Sequence, residues 1–397
     1  MNKNTNYFVP GFLGSAVSAG LKKNGEKDLA LIFSQRSAVA TGVFTTNTVK
    51  AAPVIITQKN IKRGFLRGII INTGYANACT GEQGLKDALL TANLTATQLE
   101  IKAEEMAVAS TGVIGSYLPV DLIKNALPNL IKNLSPNGFY SVADAMRTTD
   151  SFPKISYSQG HTNGKKYSIL GLTKGAGMIM PNMATMLSFI LTDISIEIES
   201  LLPIFRSAAE NTFNRITVDG DTSTNDMVLI MANGFAGNKI PEGKELKEFE
   251  SNLRETMGNL AYMIAKDGEG ATKAIIIELN GAASQNEANI AARTVANSPL
   301  VKTAVFGEDP NWGRIMAALG RSGITMKEDM VQIWIEGVKI VEGGLMVGKD
   351  EEIKAAKKMK SKDITITINL NQGSCKERIT TCDLTYDYIK INAGYRS

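Results

Sequence analysis

What most limits the fold of this chain is an irregular alternation of short apolar runs with segments whose apolar residues recur every three and four positions. Leu29 to Ser34, Val54 to Thr57, Gly68 to Ile71, Ser188 to Leu191, Met227 to Met231, Ala274 to Leu279, Gln332 to Ile335, Ile364 to Leu370 and Tyr386 to Ile391 read as strands. Helical spacing covers Leu85 to Leu94, Ala96 to Met106, Pro119 to Leu134, Glu197 to Phe213, Glu245 to Ala265 and Glu287 to Asn297. Short strands need partners from distant parts of the chain, and helices with one apolar face need a sheet or another helix to cover it. The expected class is therefore α/β, as a mixed α+β arrangement of layered sheets and helices. At 397 residues the chain suits two domains or one large layered body.

Composition removes several classes of function. Hydrophobic residues make up 44% and charged residues 21%, a globular rather than a disordered balance. The net charge of +4 is spread along the chain. Its densest run, Lys354, Lys357, Lys358, Lys360 and Lys362, reads as a solvated helix end, so no nucleic-acid partner is expected. Met1 to Gly20 lacks the basic-then-apolar order of a secretion signal. No apolar run approaches the ~18 residues that span a bilayer, and no membrane partner is expected. Three cysteines, Cys79, Cys375 and Cys382, read as reduced thiols and imply a cytoplasmic location.

Histidine is almost absent. The single one, His161, lies in Gly160 to Lys166, whose turn composition places it at a hairpin tip. A Ser-His-Asp triad and a His-rich metal site both lack their imidazoles, so no metal is expected. Gly160 to Lys165 approaches a phosphate-binding loop, but its glycines are one residue too close and no Ser or Thr follows Lys165. Gly175-Ala176-Gly177 and Gly268-Glu269-Gly270 lack the third glycine of a dinucleotide motif and read as turns. No HExxH, GxSxG or CxxC occurs.

An acyl-transfer enzyme built from these residues must find its base elsewhere. In Lys174 to Leu187, KGAGMIMPNMATML, the turn pair Pro181-Asn182 is followed by Ala184, Thr185 and an apolar run. A threonine hydroxyl is a weak nucleophile until a base lies beside it. If the chain is cut before Thr185, the new α-amine is that base. Its reference pKa is about 8, against about 10.4 for a lysine amine, which suits a base working near neutral pH. A threonine paired with its own terminal amine is an established activated nucleophile.

The same segment resembles the processing site of the glutamate N-acetyltransferase/ornithine acetyltransferase family of arginine biosynthesis. The resemblance runs through nearly the whole chain. It includes Gly42 to Asn47, Asn77 to Gly84, Ser110 to Gly115, Thr148 to Lys154, Thr217 to Asp226, Asp267 to Lys273, Asp309 to Arg314 and Ile391 to Ser397. The resemblance implies a self-processed N-terminal-threonine acetyltransferase fold, cleaved between Ala184 and Thr185. The products would be an α chain (1–184) and a β chain (185–397), forming one body and assembling as a heterotetramer. It implies that Thr185 attacks the acetyl group of N-acetylornithine, releases ornithine and passes the acetyl group to glutamate in a ping-pong cycle. A bifunctional member would also take acetyl-CoA as a substrate; no cofactor is implied.

By the same resemblance, Thr111 and Gly112 match the oxyanion hole, where one donor is worth ~3 kcal/mol in the transition state. Without it, Ser110-Thr111-Gly112 reads as a loop before a helix. Thr148, Lys174, Thr185, Glu269, Asn392 and Ser397 match substrate-contacting positions. Lys174 can pair with an α-carboxylate, Glu269 with an ammonium, and the others can hydrogen-bond. A final strand is expected to bring Asn392 and Ser397 beside Thr185. The chain departs from the family pattern at Tyr75, usually Asn, at Thr48, often Arg, and at Gly394, often Asp. Two other readings stay open: a self-processed amidohydrolase or aminopeptidase with water as the final acceptor, and a binding protein that keeps the fold uncut.

Overall fold

In the computed structural model, which describes residues 7–23, 25–180 and 186–394, two sheets carry the described strands. The first comprises β1 (Phe12–Val17), β2 (Leu29–Phe44), β3 (Phe65–Tyr75), β4 (Met106–Val113), β5 (Lys154–Thr162), β6 (Lys165–Lys174), β7 (Leu187–Thr192) and β8 (Met227–Ala232). Its order is β4-β3-β2-β8-β7-β6-β5, with β1 also paired to β2. The pairs β3–β4 and β7–β8 are parallel. The second sheet comprises β9 (Ala274–Ala282), β10 (Gln332–Ile335), β11 (Val338–Glu342), β12 (Leu345–Met346), β13 (Asp363–Asn369) and β14 (Cys375–Cys382), in the order β12-β11-β10-β13-β9-β14.

The helices are α1 (Ala52–Ile61), α2 (Gly81–Gln98), α3 (Val120–Lys132), α4 (Phe139–Met146), α5 (Ile198–Glu210), α6 (Gly243–Lys266), α7 (Gln285–Ala296), α8 (Pro299–Phe306), α9 (Trp312–Gly320), α10 (Lys349–Lys358) and α11 (Tyr386–Gly394). The first sheet is covered on both faces. In β8, Met227, Leu229 and Met231 enter one core with Phe139 and Val142 of α4. Their neighbours Val228 and Ile230 enter another with Phe205 of α5 and Leu253 and Leu260 of α6. Because side chains alternate across a strand, a strand buried on both faces must be apolar at every position, and it reads as an unbroken apolar run. Each fully buried Leu or Phe contributes about 1.5–3 kcal/mol relative to exposure. The second sheet packs against α7 to α10 around Ile277, Ile366, Val295, Leu319 and Ala355.

Most of the expected elements are present, often longer than the apolar run that marked them. Three are corrected. Val54 to Thr57 is part of α1, not a strand. Pro53 occupies its first turn, and Val54, Thr57 and Ile61 are buried at helical spacing, so tertiary burial overrides β-branched propensity. Helix does not run from Ala96 to Met106: α2 ends at Gln98, Glu100 adopts φ +56 and Met106 begins β4. Tyr386 to Ile391 is α11, not a strand. The Thr385 hydroxyl accepts from the N–H groups of Asp387 and Tyr388 at 3.2 and 3.4 Å, as a helix cap does. His161 sits in β5 beside the Asn163-Gly164 turn and is exposed, at the expected hairpin. No helix among the described residues is long and apolar enough to cross a membrane.

The first sheet is continuous across the expected cut. β7 pairs along its whole length with β6, Leu187 opposite Lys174 through Thr192 opposite Ile169. The described residues before the expected cut and those after it therefore share one sheet and its cores. Pro181, Asn182, Ala184, Thr185 and Ser397 lie outside the described residues.

Candidate active site

Thr111, Gly112, Thr148, Lys174, Glu269 and Asn392 line one cavity of about 110 Å³. They come from the end of β4, the loop after α4, the end of β6, the loop after α6, and α11. Ile179 and Met186, which bracket the stretch holding Thr185, line it too. Thr111 and Gly112 are therefore in a strand end, not in a loop before a helix.

Gly112 is required by its backbone. It has φ +133, and a Cβ there would lie 2.3 Å from the carbonyl carbon of Gly74 on the neighbouring strand. The β3–β4 register slips at Gly74 and Tyr75, so the two chains close up where the cavity begins. The Asn225 side-chain amide ties this corner together, donating to the carbonyls of Ala76 at 2.6 Å and Ser110 at 2.9 Å.

Lys174 Nζ donates to Thr111 Oγ1 at 2.9 Å. Burial pushes the Lys174 ammonium below the usual lysine range, opposed by the carboxylates of Asp150, Asp226 and Glu269 and reinforced by Lys154. Behind it lies a buried ionic network. Lys154, with no exposed side-chain area, bridges Asp150 at 2.5 Å and Asp267 at 2.6 Å. Asp150 also accepts from the N–H groups of Gly175 at 2.7 Å and Thr148 at 3.1 Å. Burial alone would raise the Asp150 carboxyl. The Lys154 and Lys174 charges, with hydrogen bonds from Lys154 and Gly175, outweigh it and bring it down to about 2. The network thus fixes Thr148, the end of β6 and the entry to Glu269 as one unit.

Glu269 is buried, and its N–H donates to the carbonyl of Ala176 at 2.9 Å. Gly177 makes room for it: a Cβ there would sit 2.4 Å from the Glu269 carboxyl carbon. Asn392 Nδ2 donates to Glu269 Oε2 at 2.8 Å. Asp219 holds the backbone leading toward residue 181, accepting from Met178 and Ile179 N–H at 2.6 and 2.8 Å. Met178 itself adopts φ +56. On the far side, Met227 N–H donates to the Met186 carbonyl at 2.9 Å.

A cavity with a lysine on one side, a glutamate on another and a glycine N–H beside a threonine hydroxyl can hold a zwitterion and stabilise an oxyanion. Sequence reasoning did not single out Asp150, Lys154, Asp219, Asn225, Asp226 or Asp267. Each stands in a stretch that carries the family resemblance, and that was the available signal.

The chain matches the ArgJ family over residues 14–397. The chain belongs to the ArgJ family. Among its ArgJ relatives, the arginine biosynthesis bifunctional protein ArgJ of Geobacter sulfurreducens is 46% identical over 391 residues, covering 98% of this chain and 100% of that protein. The protein of the same name from Desulfotalea psychrophila is 48% identical over 391 residues, with the same coverage. The crystal structure of the arginine biosynthesis bifunctional protein ArgJ from Bacillus halodurans is 44% identical, with a TM-score of 0.51. It covers 53% of this chain and 100% of that chain.

Proposed function

We propose that this ArgJ-family chain is cut between Ala184 and Thr185 and then transfers an acetyl group from N-acetylornithine to glutamate through acetyl-Thr185. In the first half-reaction the Thr185 α-amine takes the hydroxyl proton as the oxygen adds to the acetyl carbon. The C–N bond to ornithine breaks, and the α-amine returns the proton to the departing nitrogen. In the second half the glutamate amine attacks the ester carbon, the Thr185 oxygen leaves, and the hydroxyl is restored. Thr111 and the Gly112 N–H meet the oxyanion in both halves. Lys174 receives the α-carboxylate and Glu269 the ammonium, with Thr148, Asn392 and Ser397 as hydrogen-bonding groups.

The observation that carries this reading is the placement of oppositely charged Lys174 and Glu269 in the same cavity as Thr111 and Gly112, bounded by Ile179 and Met186. The Bacillus halodurans chain supports the cut. It is matched in full by 53% of this chain, roughly the share that a fragment from Thr185 to Ser397 takes up. Acetyl-CoA as a second donor, assembly of two α and two β chains, and a cytoplasmic setting complete the proposal. The three cysteines are unpaired, which accords with a reducing compartment.

Thr185→Ala tests the reading. Both cleavage and acetyl transfer are expected to vanish while the chain stays folded. Persistent cleavage would assign the cut to another residue, and persistent transfer would remove Thr185 as the acetyl carrier.

A further inference from the structure

The first cut poses a chemical problem that turnover does not. Before cleavage, Thr185 has no α-amine, so the base proposed for catalysis does not yet exist, and the chain's one histidine is exposed on a hairpin. An N-to-O acyl shift must still move a proton from the hydroxyl to the amide nitrogen.

Among the described residues, one cavity-lining carboxyl has no assigned work. Asp226 lines the cavity and is 3% exposed. Its Oδ2 is buried without a hydrogen-bond partner among the described residues. That is unusual, because a buried carboxyl oxygen left unpaired costs on the order of 1–3 kcal/mol. Its backbone is firmly held. The Asp226 carbonyl accepts from Thr45 N–H at 3.0 Å, and the next residue, Met227, is tied to Met186 at 2.9 Å. Asp226 thus stands beside the residue that directly follows Thr185 in the chain. Burial raises its carboxyl well above the usual range, opposed by hydrogen bonds from Ser223 and by the Lys174 charge. Among the described residues, Lys174 from β6 is the charge that acts on it, and Asp150, Lys154 and Glu269 act in turn on that lysine. A carboxyl raised in this way is better matched to accepting and returning a proton near neutral pH than an ordinary aspartate.

Resting on the self-cleavage reading above, we propose that Asp226 is the proton carrier for cutting the Ala184–Thr185 bond. The Asp226 carboxylate takes the Thr185 hydroxyl proton as the oxygen adds to the Ala184 carbonyl carbon. As the C–N bond breaks, the carboxylic acid gives that proton to the departing nitrogen. An ester joins Ala184 to the Thr185 oxygen, and Asp226 is again a carboxylate. Water then hydrolyses the ester, leaving a carboxylate on Ala184 and a free hydroxyl and amine on Thr185. After that the α-amine serves turnover.

The test follows full-length chain made by cell-free synthesis, sampled over time by intact mass spectrometry. Wild type, Asp226→Asn and Asp226→Glu are compared, with circular dichroism on each. Asp226→Asn is expected to stay folded and to cut at least about a hundredfold more slowly. Asp226→Glu should recover part of the rate. Wild-type cutting should slow as pH falls and the carboxylate form is lost. Asp226→Asn cutting at the wild-type rate overturns the proposal. If Asp226→Asn fails to fold, the wild-type profile decides: a rate indifferent to pH from about 5 to about 9 overturns it. Wild type that never cuts would instead reject the self-cleavage reading itself.

Discussion

The Lys174 ammonium donates to the hydroxyl oxygen of Thr111 at 2.9 Å. A hydroxyl that accepts from a lysine keeps its own proton free to donate elsewhere, and the nearby positive charge strengthens that donor. Lys174 thereby orients Thr111 as a donor within the cavity both residues line. Thr111→Val keeps the shape and removes the O–H. It is expected to lower kcat for acetyl transfer by about 10²–10³-fold, with KM changed much less. Thr111→Ser should recover most of the loss. Steady-state kinetics with N-acetylornithine and glutamate checks both variants, and an unchanged kcat in Thr111→Val would remove Thr111 from oxyanion stabilisation.

With Lys174 proposed to receive the substrate carboxylate, substrate binding is expected to depend on pH. Burial lowers its ammonium, so the charge that meets the carboxylate is present at lower pH and lost as pH rises. That loss should come below the lysine reference of about 10.4. KM for both substrates is expected to climb on the alkaline side earlier than a solvent-exposed lysine would produce. Lys174→Met should remove that climb and raise KM by about 10–100-fold, the loss of one charged hydrogen bond of roughly 1.5–3 kcal/mol. A KM profile identical in wild type and Lys174→Met would contradict the assignment.

The network behind the site makes a stability prediction. The Asp150 carboxyl is lowered to about 2 from 3.8. A lowered carboxyl contributes stability above its unfolded value and loses it as pH falls through the folded one. The contribution, on the order of 2 kcal/mol, should be complete above about pH 5 and fade between about pH 4 and pH 2. Lys154→Met leaves Asp150 and Asp267 buried without their cation. It is expected to cost about 3–5 kcal/mol at neutral pH, as breaking a buried ion pair does. Urea unfolding of both proteins across the acid range measures each effect.

Much of this architecture could be read from residue order, for definite reasons. β7 and β8 are buried at every position, and β9 opens on the run Ala274 to Ile277, so their apolar runs announced them. α5, α6 and α7 bury one face each, so their spacing did the same. α11 offered no such pattern, because none of its residues is buried; without an apolar stripe, its tyrosines and isoleucines looked like a strand. α1 misled in the opposite way, since the β-branched Val54, Ile55, Ile56 and Thr57 mask a helix that its packing decides. At the site, the family resemblance supplied Thr111, Gly112, Thr148, Lys174, Glu269 and Asn392, and the fold brings all six to one cavity. Asp226 was not legible. In Thr217 to Asp226 a carboxylate among small polar residues looks solvated, and only the packing of β8 beside β7 buries it.

Thr185 is proposed to become a nucleophile by losing the peptide bond before it. Intact mass spectrometry of the purified protein incubated with N-acetylornithine alone, without glutamate, tests this most directly. Two chains meeting at Ala184 and Thr185 are expected, with one acetyl group added to the chain that begins at Thr185 and released when glutamate is supplied. A single full-length chain that turns over substrate, or an acetyl group on the other fragment, would contradict it.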